Sequence, residues 1–318
     1  MPVGTLSPGI PSPDATASGA PRPGGVGLLD GRTVSRVGYG AMQLERLRGD
    51  REAAVALLRR AVELGVDHVD TAQFYGNGLV NGLIREALRP EDGVIVVSKV
   101  GAAPNPGGRI PLRPAQRPEE LRAGVEDNLR GLGVERVPVV NLRRLDVGPG
   151  LRAEGDQVVD LDDQLAVMTA MRDEGKIGAI GLSSVGIDGL RRALPVGIAC
   201  VQNAYSLVAR GDEEMLALCA AENIAWVPYF PLGGAFPGLP KVTDEPAVQA
   251  AARALGRSTA QVGLAWLLRH DPRVLLIPGT ADLGHLEANV AAGAITLDEA
   301  VLAELDAVPT RSVDLPLG

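Results

Sequence analysis

The sequence is poor in cysteine, in aromatic residues and in basic charge, and each shortage excludes a class of protein. Among its 318 residues only 3% are aromatic, and Cys200 and Cys219 are its two cysteines. Both lie in apolar stretches, which is typical of reduced, buried thiols rather than of a disulfide framework. We therefore expect a reducing compartment and a cytoplasmic location. The formal net charge of −8, with no basic run against it, argues against a nucleic-acid partner.

Long hydrophobic runs are also missing, so we expect no membrane partner. Residues 1–25 are rich in Pro, Gly, Ala and Ser and lack the charged start and apolar middle of a signal peptide. We interpret them as a disordered tail in front of one domain, residues 26–318. The 46% hydrophobic content is sufficient for a large core. The sequence does not indicate the oligomeric state, for which a monomer is the default.

The sequence contains instead a regular alternation of aliphatic strands and amphipathic helices. Asp30-Gly31 predicts a β-hairpin turn ahead of them. Helices are predicted at 52–64, 79–88, from Pro118 onward and at 162–174. Eight strands are predicted at 36–40, 66–70, 94–99, 137–143, 177–182, 198–203, 224–228 and 274–277. Eight such units over roughly 250 residues predict an α/β fold, a closed (β/α)8 TIM barrel with an N-terminal β-hairpin. A doubly wound open sheet is the alternative, but no Gly-x-Gly-x-x-Gly follows the first strand.

The most informative stretch is residues 68–76, which read His-Val-Asp-Thr-Ala-Gln-Phe-Tyr-Gly. Asp70 ends one predicted strand, Lys99 ends the next, and Tyr75 lies on the loop between them. Barrel enzymes carry their chemistry at these carboxyl ends. Because a neighbouring ammonium favours the phenolate, we expect a lowered pKa for Tyr75, which could then donate a proton to a carbonyl oxygen.

Seven motifs, in this order, make the chain from about 26 to 308 resemble the aldo-keto reductase family. They are Arg36-Val-Gly-Tyr-Gly-Ala-Met42, Asp70-Thr-Ala-x-x-Tyr-Gly76, Ser98-Lys99, Gly181-Leu-Ser-Ser184, Gln202-Asn-Ala-Tyr205, Pro228-Tyr-Phe-Pro-Leu232, and Ile277-Pro-Gly-Thr280 with His285-Leu-Glu-Ala-Asn289. The resemblance implies hydride transfer between NADPH/NADP+ and the carbonyl group of a small-molecule aldehyde or ketone. Asp70, Tyr75 and Lys99 match three of that family's catalytic residues, with Tyr75 as the proton donor.

The resemblance also implies which residues bind the cofactor. Ser183 and Gln202 would hold the nicotinamide carboxamide beside Ser184, Tyr229 would stack on the ring, and residues 230–234 would follow the pyrophosphate. Gly279, Thr280 and His285 would line the 2′-phosphate pocket and Asn289 the adenine. The full expected set is Gly40, Ala41, Met42, Asp70, Ser183, Ser184, Gln202, Tyr229, Phe230, Pro231, Leu232, Gly234, Ile277, Gly279, Thr280, His285 and Asn289. Asp282 would repel a phosphate unless it caps the following helix.

Histidine is also scarce, and its positions mark a departure from the family. None of His68, His270 and His285 lies on the fourth predicted strand, where the family has its fourth catalytic residue. By alignment that position is Arg143, with Asn141 two residues earlier on the same face. Arginine donates hydrogen bonds but cannot relay a proton. We therefore expect Arg143 to act as an electrostatic clamp at the catalytic centre, and both residues to bind substrate.

Two alternatives and one substrate hint follow from that departure. Arg143 could instead pair with a local carboxylate such as Asp146. The chain would then be a catalytically impaired NADP(H)-binding sensor or partner-binding protein on the same barrel. The Asn-Leu-Arg segment, with the later Tyr-Phe-Pro-Leu-Gly-Gly, also resembles a bacterial branch associated with pyridoxal-type aldehydes.

Three predicted loops on the same face, 101–116, 146–160 and 233–245, are rich in Pro and Gly and are expected to shape specificity. Phe236 is the one aromatic residue among them. Arg109, Arg113 and Arg117 could attract an anionic substrate, although solvated surface charge is the alternative we favour.

Overall fold

The computed structural model describes residues 22–108, 110–234 and 238–313. Most of the predicted disordered tail therefore lies outside the described residues, as do Arg109 and Phe236. Residues 22–25, which the prediction also included in the tail, form a turn closed by a hydrogen bond from the Gly25 N–H to the Arg22 carbonyl, 3.0 Å.

The predicted N-terminal hairpin is confirmed. Strands β1 (Val26–Leu29) and β2 (Arg32–Ser35) pair in antiparallel fashion. Asp30 and Gly31 both have positive φ, 51° and 70°, as a two-residue type I′ turn requires. Leu29 and Val34 face inward and pack with aliphatic side chains of the barrel interior. The hairpin thus closes the amino-terminal end of the barrel.

The remaining strands alternate with helices along the chain. The strands are β3 (Tyr39–Gly40), β4 (His68–Asp70), β5 (Ile95–Val100), β6 (Ala102–Pro104), β7 (Leu112–Pro114), β8 (Val137–Arg143), β9 (Ile177–Ser183), β10 (Ile198–Gln202) and β11 (Ala225–Trp226). The helices are α1 (Arg51–Glu63), α2 (Leu79–Ala87), α3 (Pro118–Leu132), α4 (Leu161–Asp173), α5 (Ile187–Ala193), α6 (Glu213–Ala221), α7 (Pro246–Leu255), α8 (Thr259–His270), α9 (Leu283–Ala291) and α10 (Glu299–Asp306). Within the described ranges, no helix is both long and apolar enough to cross a membrane.

The predicted barrel is confirmed, and its closure depends on the segment 274–277. Seven parallel strands pair in the order β11-β10-β9-β8-β5-β4-β3. Residues 274–277 then join the two edges through parallel bridges, Val274 to Trp226 and Leu276 to Val37. The hydrogen bonds at this closure run from Leu275 N–H to the Trp226 carbonyl and from Leu276 N–H to the Arg36 carbonyl, 2.8 Å each. The eighth predicted strand therefore exists as a short bridging segment.

Segment 101–116, predicted as a loop, differs from expectation because β6 and β7 form a short antiparallel hairpin within it. Its tip contains Pro106, Gly107 and Gly108, and Gly107 has a φ of 78°. Such residues suit a reversal of direction between two strands.

The core has two layers, which determine where polar residues can lie. Side chains pointing outward from the strands, such as Val140, Leu142, Ile180 and Leu182, pack under the helices. Inward side chains fill the barrel with a smaller aliphatic group: Ile95, Val97, Val139, Ala179, Cys200, Ala225, Val227, Leu275 and Ile277. Because successive side chains alternate between the two faces, Lys99 and Arg143 point inward near the carboxyl ends, beyond this aliphatic filling.

Candidate active site

A buried ion pair lies at the carboxyl ends of β4 and β5. Asp70 and Lys99 are 4% and 6% exposed, and the Lys99 ammonium donates to Oδ1 of Asp70. The ammonium also donates to the Thr71 carbonyl, 3.1 Å. The structure thus brings together the two charged residues that the sequence placed at neighbouring strand ends.

Tyr75 follows on a turn with an unusual backbone. Gly76, Asn77 and Gly78 have consecutive positive φ values of 58°, 54° and 88°. Glycine adopts this region without steric cost, and asparagine is among the side chains that tolerate it best. The turn directs the Tyr75 ring toward Lys99, whose Nζ lies 5.1 Å from the ring centre.

The pKa of Tyr75 does not shift in the predicted direction. Burial raises the pKa of Tyr75 most strongly, and the charge of Asp70 adds to the rise, while Lys99 and Arg143 lower it. The net result is a raised pKa, so the prediction of an acidified phenol is wrong. For Lys99, burial lowers the pKa, but Asp70 and Tyr75 outweigh it and the net pKa is raised. A protonated phenol therefore stands beside a charged ammonium at neutral pH.

Gln202 extends this cluster from the end of β10. Its side chain is fully buried, and its Nε2 donates to Oδ2 of Asp70, 2.9 Å. Its Oε1 has no hydrogen-bond partner within the described part of the chain. A buried acceptor without a partner is uncommon, and here it marks a place where a ligand N–H can bind.

Ser184 and Tyr229 form a second polar contact on the same face. Ser184 follows β9 with a φ of 51°, and its Oγ lies 3.2 Å from the Tyr229 hydroxyl. Ser183 and Ser184 are both 2% exposed, whereas the Tyr229 ring is half-buried. Phe230, with a φ of 55°, begins the turn that contains Gly233, φ 83°. Pro231, Leu232 and Gly234 complete this segment.

Arg143 ends β8 next to Ser183 of β9 and is half-buried. Among residues 22–108, 110–234 and 238–313, no acidic side chain forms an ion pair with it. The alternative partner, Asp146, pairs with Arg144 rather than with Arg143. Arg144 Nε lies 3.1 Å from Asp146 Oδ2. The charge of Arg143 acts to lower the pKa of both Tyr75 and Tyr229, although burial raises the pKa of each phenol overall.

Asn141 lies two residues before Arg143 on the same face of β8, inside the barrel. It pairs in register with Lys99 and is fully buried, and its Oδ1 accepts from the Cys200 thiol at 3.2 Å. A Cβ at Gly181 would lie 1.9 Å from that oxygen, so the neighbouring strand leaves room for the amide. Asn141 therefore sits one layer below Arg143, and its Nδ2, like Gln202 Oε1, has no hydrogen-bond partner within the described part of the chain, so substrate binding by Asn141 stays a prediction.

The segment after residue 277 lies against β3. A Cβ at Gly40 would be 2.4 Å from the Ile277 carbonyl oxygen, so only glycine permits this approach of the two chains. Gly279 in turn lies against the Gly40 carbonyl. Ala41 is fully buried and Met42 is 41% exposed.

The N-terminus of α9 follows directly. Asp282 accepts a hydrogen bond from the His285 N–H, 2.8 Å, which confirms the interpretation that this aspartate caps the helix. Thr280 is buried, and its Oγ1 accepts from the Asp282 N–H, 3.0 Å. The His285 side chain is 79% exposed and lies 3.8 Å from the Asp282 carboxylate. Asn289 is half-buried on the same helix.

Sequence reasoning missed the polar residues behind the ion pair. Asn81 on α2 and Asn128 on α3 are fully buried on helix faces that otherwise carry Val80, Val125 and Leu129. An amide inside an apolar helical stripe was the available signal, because a buried polar group needs partners. Arg113 and Arg117 behave as surface charge instead, since both pair with Glu120.

The sequence matches the aldo/keto reductase family over residues 36–309, and the chain belongs to that family. Pyridoxine 4-dehydrogenase of Escherichia coli is 41% identical over 287 residues, covering 88% of this chain and 96% of that protein. An uncharacterised oxidoreductase of Schizosaccharomyces pombe is 36% identical over 284 residues, covering 86% of each chain.

Solved structures agree with the family assignment. An aldo/keto reductase from Klebsiella pneumoniae, crystallised with NADP and acetate, superposes with a TM-score of 0.73 at 27% identity, covering 90% of this chain and 96% of that one. A second structure from the same organism, in complex with NADPH, gives a TM-score of 0.73 at 26% identity and covers 95% and 100%.

Proposed function

We propose that this chain is an NADPH-dependent reductase of a small aldehyde or ketone, with Tyr75 as the proton donor. The observation that carries the proposal is the buried Asp70–Lys99 pair with the Tyr75 ring 5.1 Å from the ammonium. A buried charge pair is costly to maintain for stability alone. The pair lies at the carboxyl ends of barrel strands, where the catalytic residues of barrel enzymes are found.

The residues around this pair fit a nicotinamide cofactor. The unpartnered Oε1 of Gln202 can accept from a carboxamide N–H, and the Ser183 hydroxyl lies at the end of the neighbouring strand. Tyr229 would lie against the ring, and residues 230–234 would line the pyrophosphate. Thr280 and His285 would face the 2′-phosphate at the start of α9. The NADP and NADPH complexes of the Klebsiella relatives support this assignment.

Bound NADPH supplies the hydride, and the chain's own residues handle the charge that develops on the carbonyl oxygen. The raised pKa of Tyr75 keeps its phenol protonated across the neutral range, so it is ready to donate. Lys99 is held charged by Asp70 and stabilises the phenolate once the proton has left. Alcohol oxidation uses the same groups in reverse, starting from the phenolate.

Arg143 is assigned to the substrate. Its half-buried guanidinium, with no ion pair in the described part of the chain, can donate to the reacting oxygen or to a second, anionic oxygen beside the carbonyl. Pyridoxal-type aldehydes carry such an oxygen, on the ring carbon next to the aldehyde. The 41% identical pyridoxine 4-dehydrogenase supports this class as the first to be tried.

Single-turnover oxidation of bound NADPH by a panel of aldehydes, with pyridoxal included, tests the proposal. The parent chain should oxidise NADPH with at least one aldehyde, and Tyr75→Phe should slow the step by ~10²–10⁴-fold while NADPH binding is retained. Full activity in Tyr75→Phe would remove the proposed mechanism. NADPH binding with no turnover of any aldehyde would favour the sensor alternative.

A further inference from the structure

A group of buried polar side chains lies behind the ion pair, on the outer faces of β4 and β5, and the mechanism above does not use it. Thr71, Asn81, Ser98 and Asn128 are each 0% exposed. Thr71 follows β4 and Ser98 lies on β5, whereas Asn81 and Asn128 come from α2 and α3. Together these four residues are called the asparagine network below.

Asn128 is the centre of the asparagine network. Its Nδ2 donates to the carbonyls of Lys99 and Gly124, at 3.2 and 2.8 Å. Its Oδ1 accepts from the Ser98 hydroxyl at 2.5 Å and from Asn81 Nδ2 at 2.9 Å. The two carbonyls fix the orientation of this amide, because a carbonyl can accept but not donate. All four hydrogen-bonding positions of Asn128 are therefore used.

Asn81 connects Asn128 to the loop that carries Tyr75. Its Oδ1 accepts from the Thr71 hydroxyl at 2.8 Å, and its Nδ2 also donates to Gln73 Oε1 at 2.9 Å. Both partners lie among the four residues between Asp70 and Tyr75. Asn81 thus holds the first half of the loop whose end presents the phenol.

The bonds form a closed ring that includes the catalytic ammonium. Asn128 binds the Lys99 carbonyl, the Lys99 ammonium binds the Thr71 carbonyl, the Thr71 hydroxyl binds Asn81, and Asn81 binds Asn128. Lys99 is therefore held at both its backbone and its side-chain end. Because every member is buried, loss of one bond cannot be compensated by water without opening the packing between α2 and α3.

The packing of α3 against α2 leaves room for this ring of hydrogen bonds because residue 131 is a glycine. A Cβ at Gly131 of α3 would lie 2.6 Å from Gln73 Oε1 and 3.2 Å from the Asn81 Cβ. A larger residue there would displace the two amides. The close approach of the helices is thus part of the same arrangement.

We propose that Asn81 and Asn128 are positioning residues for the proton-transfer step, holding Lys99 and the Tyr75 loop in fixed relation to one another. This inference rests on the proposed function, since it assigns the residues to that reaction. Neither side chain touches the barrel mouth, so neither is expected to contact substrate or cofactor. A displacement of about 1 Å at the reacting groups can lower a rate by ~10²-fold.

The test compares Asn128→Ala with two matched serine variants in the full chain. Asn128→Ala should lower the single-turnover rate by ~10–100-fold and leave the dissociation constant for NADPH within about twofold of the parent value. Ser98→Ala removes one buried hydrogen bond of the network and should give a smaller loss of rate. Ser35 is likewise 0% exposed, and Ser35→Ala removes its part-buried hydrogen bond to the Gly65 carbonyl, 2.7 Å, but it lies at the opposite end of the barrel and should leave the rate unchanged.

The pH profile separates positioning from a general loss of stability. Lys99 lowers the pKa of Tyr75, so a displaced Lys99 should let that pKa rise further. Alcohol oxidation with NADP+ requires the phenolate, and its acidic limb should therefore move to higher pH in Asn128→Ala and Ser98→Ala. Ser35→Ala should lower the melting temperature without moving the limb.

The inference is overturned if Asn128→Ala binds NADPH and keeps the parent rate and pH profile, or if Ser98→Ala and Ser35→Ala behave alike. If Asn128→Ala does not fold, the two serine variants decide the question. A parent chain that turns over no aldehyde would count against the proposed function instead, so the two failures are distinguishable.

Discussion

Lys99 and Arg143 stand at the ends of neighbouring strands, β5 and β8, and their environments differ. Lys99 is 6% exposed and paired with a carboxylate, whereas Arg143 is half-buried and forms no ion pair with any described residue. The fold thus supplies an ion-pair partner for Lys99 and leaves Arg143 available to a ligand. A positive charge held part-way out of water without a partner suits recognition of an anionic oxygen on a ligand.

The backbones of the two residues are held in similar ways. Asn128 binds the Lys99 carbonyl, and Gln116 Nε2 binds the Arg143 carbonyl at 2.8 Å. Gln116 is in turn held by Gln164, whose Nε2 donates to its Oε1 at 2.9 Å. Buried amides thus fix both strand ends. The difference between the corners lies in the side chains, and substitutions at three cationic positions, Lys99, Arg143 and His285, can break or sharpen it.

The largest expected effect is on stability and distinguishes the two cations directly. Lys99→Met leaves the buried Asp70 carboxylate without its cation, which should lower the free energy of unfolding by ~3–5 kcal/mol. Arg143→Met removes no ion pair of the described chain and should change it by ~0.5 kcal/mol or less. Urea unfolding measures both values. Equal losses in the two variants would show that Arg143 is also part of the fold's internal pairing.

The second effect concerns substrate choice at the Arg143 corner. Pyridine-4-carbaldehyde lacks the hydroxyl oxygen that pyridoxal carries on the ring carbon next to its aldehyde, together with the methyl and hydroxymethyl groups, so the change in the ratio of the two substrates on replacing Arg143 reports that contact. Arg143→Met should lower the ratio of kcat/KM values, pyridoxal over pyridine-4-carbaldehyde, by ~10–100-fold, as expected for a charge-assisted hydrogen bond of ~1.5–3 kcal/mol.

Arg143→Lys serves as the control for this second effect, because it keeps the charge but loses the two-pronged geometry and should give an intermediate ratio. If Arg143→Met slows both aldehydes equally, the arginine acts on the reacting oxygen alone and does not select the substrate.

The smallest effect is expected at the most exposed of the three cationic positions. His285 is 79% exposed, so its contact with a 2′-phosphate should contribute only ~0.2–1 kcal/mol. His285→Ala should raise the dissociation constant for NADPH by about two- to fivefold and leave that for NADH unchanged. Fluorescence titration with both cofactors measures this, and an equal change for the two would remove the phosphate contact.

The barrel and the Asp70–Lys99 pair could be predicted from sequence because both follow from local pattern. Aliphatic runs identify the strands, and residues at the ends of neighbouring parallel strands must be close in space. The last strand illustrates the limit. Segment 274–277 has the aliphatic pattern, but the length over which it pairs depends on how the barrel closes, which no local window contains.

The clear error at the site is the direction of the Tyr75 pKa shift, and depth and direction are also what a motif leaves open elsewhere in the site. The pKa of Tyr75 is set mainly by burial, which a motif does not reveal, so the neighbouring ammonium was given too much weight. Asn141 and Arg143 share one face of β8, but two residues along a strand separate a buried layer from the mouth. The choice between Arg143 and Arg144 as partner of Asp146 depends on which face of the strand each side chain leaves, and adjacent residues leave opposite faces.

The closure of the barrel by single bridges affects where the strand pairing can open locally. Strands β8 and β9 share six register pairs and β3–β4 and β10–β11 share two each, whereas Val274–Ile277 is joined to each flank by a single bridge. Local opening should therefore begin along this seam. The 274–277 segment is followed by Gly279, which lies against Gly40 beside the N-terminus of α9. A dinucleotide bound there would contact both sides of the closure and so stabilise it.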